Sequence, residues 1–271
     1  MQFLIIHQLY DPTPQAMVAQ ATLMQHMQQH DPAVKKSDAM LTGSQLQQQV
    51  PLARIYLRKG QEPEVTEVLV ADVVDSPAAH ISSFMLIDVP DHAAALAWAR
   101  QWPVGEADSL IEVRATGCPG GVSCVNGSIP VPPAGHQVHP QESHQHFMVV
   151  IHEEQPSTIG PDQAVLDAMQ RHNIESVEAG IMLAGHGLHL SSEGQRVHFK
   201  AGKSTLMDGP FSESKELIAG YWLIQVPSRA AAITWAKSYP YPVMEKASIS
   251  VLPVLGLQQA ATLYMHQPSG A

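Results

Sequence analysis

The chain has 271 residues, 45% of them hydrophobic and 15% charged, with a formal net charge of −10 at pH 7. That composition is globular and too apolar for general disorder. An acidic chain without a basic patch offers little to nucleic acid or to an anionic membrane, and no run approaches the roughly 18 apolar residues of a membrane span.

The opening stretch, MQFLIIHQLYDP, has a short apolar run but no basic start and no small-residue cleavage site, so it is not a signal peptide. A cytoplasmic location is expected. Its core, LIIH at 4–7, reads as a strand. Further on, MQQHD (27–31), MLTGSQL (40–46), FMLIDVP (84–90) and ALAWARQWP (95–103) return in the same order as MQRHN (169–173), MLAGHGL (182–188), YWLIQVP (221–227) and AAITWAKSYP, whose Trp235 matches Trp98. LIIH itself is matched by VVIH at 149–152. Ordered matches that need a single length change predict a tandem duplication. The expected units are 1–117 and 145–257, joined by a Gly/Pro/His-rich linker at 118–144 and followed by a tail at 258–271. Cys118 and Cys124 fall in the linker and read as free thiols.

In the second copy HFMVVIH reads as a buried strand, and Asp162 to Glu178 carries a helical stripe of Val165, Leu166, Met169, Ile174 and Val177 that Gly180 would cap. GIMLAGHGL is a strand broken by glycines, QRVHFK and STLMD flank a hairpin, and AGYWLIQV is a strong strand. Ser228, matched by Asp91, is a favoured N-cap for the Trp-containing helix, and ASISVLPVL closes as a strand. This order is a split βαβ arrangement of the α+β class, with helices on one face of an antiparallel sheet. The other copy's sheet is the natural cover for the second face.

With AGIMLAGHGLHLSSEG (179–194), RVHFKAGKSTLMDGPF (196–211) and SKELIAGYWLIQV in view, the second copy resembles the YCII-related, or DGPF-domain, family. The first copy is similar in scaffold only, with ADVV (71–74) at the DGPF position and Ala78, Ala79 and His80 in place of Lys-Glu-Leu. The resemblance implies two tandem ferredoxin-like domains packed as an intramolecular pseudo-dimer of the dimeric α/β-barrel type. Some members of the wider superfamily act on small aromatic or lactone substrates. The smallest members suggest a His–Asp pair, though their Arg-Pro-x-His signature is absent from both first helices here. Others are associated with sigma-factor signalling.

Two readings of Asp208-Gly209-Pro210-Phe211 stand side by side. In one, Gly209 allows a tight turn, Pro210 stops the ladder and Phe211 anchors it. In the other, Asp208 stands at the rim of the cleft as acceptor or base, paired with His152 or His189 as the catalytic partner. Gly209, Phe211, His7, His186 and Tyr221 are the further ligand-binding candidates. His7 and His152 end the first strand of each copy, which would point both into the cleft. His186 and His189 could share a cavity only if the strand breaks at Gly187. His30 and His172 read as structural residues near helix ends. The linker's His136, His139, His144 and His146 read as solvated polar residues, with zinc binding as the alternative. No motif calls for a cofactor. The expected function is binding of, or action on, a small organic molecule in the cleft, the alternative being a non-catalytic regulatory module; a second copy of the chain is the further expected partner.

Overall fold

The computed structural model describes residues 1–9, 40–46, 52–68, 81–100, 108–117, 141, 143–153, 162–209, 211, 217–243 and 246–255. The linker cysteines, His30, His136, His139, Pro210, the first copy's DGPF position and the tail lie outside them. The fold is α+β with antiparallel strand pairing throughout the named ladders. No helix among the described residues is long and apolar enough to cross a membrane.

The first half contains β1 (Gln2–Leu9), β2 (Met40–Leu46), the hairpin β3 (Leu52–Arg58) and β4 (Glu64–Val68), β5 (Ile81–Asp88), α1 (His92–Ala99) and β6 (Ser109–Ala115). The second contains β7 (Gln145–Glu153), α2 (Gln163–Glu178), β8 (Met182–Gly187), the hairpin β9 (Gln195–Lys200) and β10 (Lys203–Asp208), β11 (Leu217–Val226), α3 (Arg229–Ser238) and β12 (Lys246–Leu255). The caps expected at Asp91, Ser228 and Gly180 act where they were read, and Asp162 supplies a further one. Asp91, Asp162 and Ser228 cap their helices by accepting from the backbone N–H of Ala94 (2.8 Å), Val165 (2.9 Å) and Ala231 (3.2 Å). Gly180, at φ +71°, ends α2 in a left-handed turn, with Ile181 N–H reaching the Ser176 carbonyl at 2.8 Å.

Each half places its strands in one order. In the first it is β6-β1-β5-β2, and in the second β12-β7-β11-β8. The two sets join where β2 pairs with the end of β12, at Leu46 and Val254. They meet again where Leu188, just past β8, bridges Thr116, just past β6. There Gly117 N–H donates to the Gly187 carbonyl (2.8 Å) and His189 N–H to that of Ala115 (3.0 Å). The strands therefore close into a ring.

Both hairpins cross over to the other half. β3 lies along β12, with Arg54 opposite Ser250 and Tyr56 opposite Ser248. β9 lies along β6, with Arg196 opposite Glu112 and His198 opposite Leu110. Pro253, which has no N–H to give, falls where β12 passes from β3 to β2, so no ladder bond on that side is lost. An ion pair between Arg229 of α3 and Glu67 of β4 (2.5 Å) ties the first half's hairpin to the second half's helix.

Alternation along each strand divides the apolar residues between two layers. Phe3 and Ile5 of β1 pack with Met85, Ile87, Ile111, Val113 and the small residues Ala95 and Ala99 of α1. Leu4 and Ile6, on the opposite face, belong to the larger core with Phe84 and Leu86 and with strands of the second half. In that half Trp222 stands opposite Val149, and its ring contacts those of Tyr239 (4.5 Å) and Tyr241 (5.4 Å), just past α3. The Phe147-Val149-Ile151 row thus faces the helices, and the Met148-Val150-His152 row faces inward.

Candidate functional site

Matching LIIH with VVIH makes His7 and His152 equivalent. The ladders do not. Phe3 stands opposite Ile87, and Phe147 opposite Ile224, where Ile87 and Ile224 occupy the same place in FMLIDVP and YWLIQVP. Counting from these pairs, His7 corresponds to Ile151 and Gln8 to His152. A one-residue slip exchanges the faces of a strand. His7 continues the Phe3–Ile5 row on the helix side, so its expected place in the cleft is corrected. It is fully buried, shares a 2.5 Å hydrogen bond between Nδ1 and Ser82 Oγ, and is held by burial at a pKa of about 3.

His152 does face inward, among residues from both halves. Its row meets Ser248 and Ser250 of β12 and, one strand further, Arg54 of β3. His152 Nε2 bonds Ser250 Oγ at 3.1 Å, and Arg54 donates through Nη2 to Ser248 Oγ at 3.0 Å. All four side chains are buried. Burial first, and the Arg54 charge second, hold His152 at about 3, so it is a neutral imidazole at physiological pH. Its Nδ1 is buried without a partner among the described residues. A buried polar atom left in that state is costly unless something bonds to it.

At the corresponding place on the other side of the ring the arrangement is different. Glu112 of β6 accepts from Arg196 Nε (3.0 Å) and Nη2 (2.8 Å) and from Arg114 Nη1 (2.8 Å). Burial alone would raise the Glu112 carboxyl, but the charges and hydrogen bonds of Arg196 and Arg114 hold it below its ordinary value. Arg114 also donates through Nε to the carbonyl of His189 at 3.1 Å, and the Arg196 guanidinium lies 3.8 Å from the centre of the Phe211 ring. This closed network was not singled out from the sequence. The signal was there: Glu112 and Arg114 alternate with Leu110, Ile111 and Val113 in SLIEVRA, and Arg54 sits in the apolar run LARIYLR. Charges on the inward face of a buried strand require partners.

The DGPF turn joins the closed side. Asp208 is exposed and its carboxylate accepts from Gln195 Nε2, its ladder neighbour. Gly209 N–H bonds the Gly194 carbonyl at 3.1 Å, and a Cβ added at Gly209 would lie 1.9 Å from the Ser191 carbonyl oxygen. Glycine is needed there by close backbone approach. Phe211 is buried against Arg196. Among the described hydrogen bonds, none joins Asp208 to His152 or His189.

The remaining candidates are scattered. His189 is partly exposed and pairs through Nδ1 with Glu193 at 2.9 Å. His186 stands opposite Tyr221 in the ladder, with ring centroids 5.8 Å apart, and burial holds it at about 4. Tyr221 is itself buried, opposite Val150 in the inward row. His172 contacts the rings of Trp235 (5.5 Å) and Tyr239 (5.0 Å) between α2 and α3, in keeping with a structural place. His144 and His146 are the two linker histidines that fall within described residues. No group of three or more potential metal-ligating side chains occurs among the described residues.

Residues 146–256 match the family model of the YCII-related domain. That span begins one residue into β7 and ends one residue beyond β12, so a YCII-related domain makes up the second half of this chain. No curated protein matches the chain.

Proposed function

We propose that the chain is a tandem duplication of two ferredoxin-like units, of which the matched YCII-related domain is one, closed on each other as an α/β barrel that binds a small organic molecule between them. The strand order repeated in the two halves, the exchanged hairpins and the bridge at Leu188–Thr116 support the pseudo-dimer. One observation carries the binding reading. Arg54, His152, Ser248 and Ser250 converge from both halves on one buried inward face, with a nitrogen of His152 unpartnered among the described residues. Ligand sites combine apolar walls with a few convergent polar groups, and this face has both.

Binding fits these residues better than acid–base catalysis. A histidine held at about 3 is a weak base at neutral pH, and the Asp208 carboxylate is engaged by Gln195. The turn around Gly209 and Phe211 reads as the lock of the β9–β10 hairpin. Native mass spectrometry of the untagged protein tests the reading. A small-molecule adduct, co-purified or taken up from a fragment library, is expected at one per chain and retained in Asp208→Asn. A chain that stays bare under both conditions contradicts it.

A further inference from the structure

Each half carries a hairpin whose outer strand has one neighbour. Among the described strands β10 pairs with β9 alone and β4 with β3 alone, so both present a sheet edge. An open edge recruits another strand unless something guards it, charge above all. The β4 edge is guarded. It carries Glu64 and Glu67 and no cation, so an antiparallel copy would bring acidic ends together, and Glu67 is tied to Arg229 of α3. The β10 edge is not. Its residues, KSTLMD, are exposed throughout, and Leu206 and Met207 leave 38% and 46% of their surface to solvent. The strand runs from a cation, Lys203, to an anion, Asp208, so an antiparallel copy sets each charged end beside its opposite.

The backbone groups that face outward follow from the turn. Ala201 and Gly202, at φ +48° and +73°, form the two-residue loop between β9 and β10, which makes Lys200 and Lys203 a hydrogen-bonded pair. Further along the same ladder, Gly209 N–H bonds the Gly194 carbonyl. The odd-numbered residues therefore bond to β9, and the N–H and C=O of Ser204, Leu206 and Asp208 point away from it. We propose that β10 pairs antiparallel with β10 of a second copy of this chain, about a two-fold axis at Leu206. Ser204, Leu206 and Asp208 then exchange backbone bonds with Asp208, Leu206 and Ser204 of the second copy. The side chains suit that register. The two Leu206 side chains meet on the face of Val197, their ladder neighbour in the core packed against α1. Met207 lies opposite Thr205, and the Ser204 hydroxyl donates to the Asp208 carboxylate.

Sedimentation velocity of the untagged full-length chain over a range of concentrations, with amide hydrogen exchange, tests the proposal. A dimer is expected, with the amides of Ser204, Leu206 and Asp208 protected in it. Leu206→Pro removes an outward N–H and no bond to β9, and should weaken the dimer at least tenfold. Asp208→Lys and Lys203→Asp, both at exposed positions, should each weaken it to a similar degree, and mixing these two variants should restore a dimer of one chain of each. They keep the test open if proline unfolds the hairpin. Glu64→Lys, on the β4 edge, should leave the dimer unchanged. A monomer at every concentration, a dimer indifferent to both charge reversals, a mixture that stays monomeric, or equal weakening by Glu64→Lys overturns the proposal. The β10 edge lies outside the binding face described above, so it stands or falls independently of the mass-spectrometric adduct.

Discussion

The β6–β9 and β3–β12 junctions are built by the same strand pairings and closed by different means. In the first, two arginines, a glutamate and a phenylalanine form a finished internal network, and the Gly209 turn locks the hairpin that brings Arg196 to Glu112. In the second, the hairpin brings Arg54 to two serines and a neutral histidine. The difference teaches that two halves with one strand order can carry different side chains at corresponding places. Gly209 and Phe211 lie on the β6–β9 side.

The largest effect that separates the junctions follows from removing one charge. Glu112→Gln takes the carboxylate from one buried guanidinium, Arg114, and one part-buried guanidinium, Arg196, and is expected to cost about 3–5 kcal/mol, whereas Ser250→Ala removes one neutral hydrogen bond and is expected to cost about 1 kcal/mol. Urea unfolding at neutral pH measures both. Similar losses in the two variants would break the comparison.

Acid pH sharpens it next. The folded state holds His7 and His152 at about 3, against an ordinary imidazole value of 6.5. Below pH 6.5 the unfolded chain therefore binds protons that the folded chain does not, and stability falls as pH drops towards 3 by up to about 1.4 kcal/mol per pH unit for each histidine. Above 6.5 these two groups contribute no slope. Glu112 acts in a lower window: its stabilisation is present above its ordinary value of 4.5 and is lost as pH falls through its lowered folded value. His152→Gln, which installs the residue found at Gln8, should make the decline between pH 6 and 5 shallower. An unchanged profile would contradict the burial of a neutral imidazole.

Smaller effects are expected at the turn. Gly209→Ala forces the hairpin away from the Ser191 carbonyl and should cost about 1–3 kcal/mol, read from the thermal midpoint. Asp208→Asn keeps an acceptor for Gln195 on an exposed strand end and should change stability by less than about 0.5 kcal/mol. A loss of ligand in Asp208→Asn with stability intact would return the turn to the site.

Features set by short-range chemistry were legible in the sequence. Asp91, Asp162 and Ser228 cap helices because their side chains bond backbone two or three residues on, and Gly180 ends α2 because only a left-handed turn follows. The hairpin from Gln195 to Asp208 was equally local. The placement of His7 was not, because residue similarity cannot distinguish LIIH over VVIH from the same strands slipped by one, and only the pairing with β5 and β11 decides it. Arg54 and Glu112 escaped for a related reason. Each gains its meaning from a strand that belongs to the other half of the chain. Histidines and a named turn drew the reading towards residues that carry titration and motif, while the charges that distinguish the two junctions lay inside apolar strands.

The most direct measurement is the native mass of the untagged chain beside that of His152→Leu. If Arg54, His152, Ser248 and Ser250 line the binding face, one small-molecule adduct per chain is expected in the first and is lost in the second. A chain that stays bare, or an adduct kept unchanged in His152→Leu, would contradict the account.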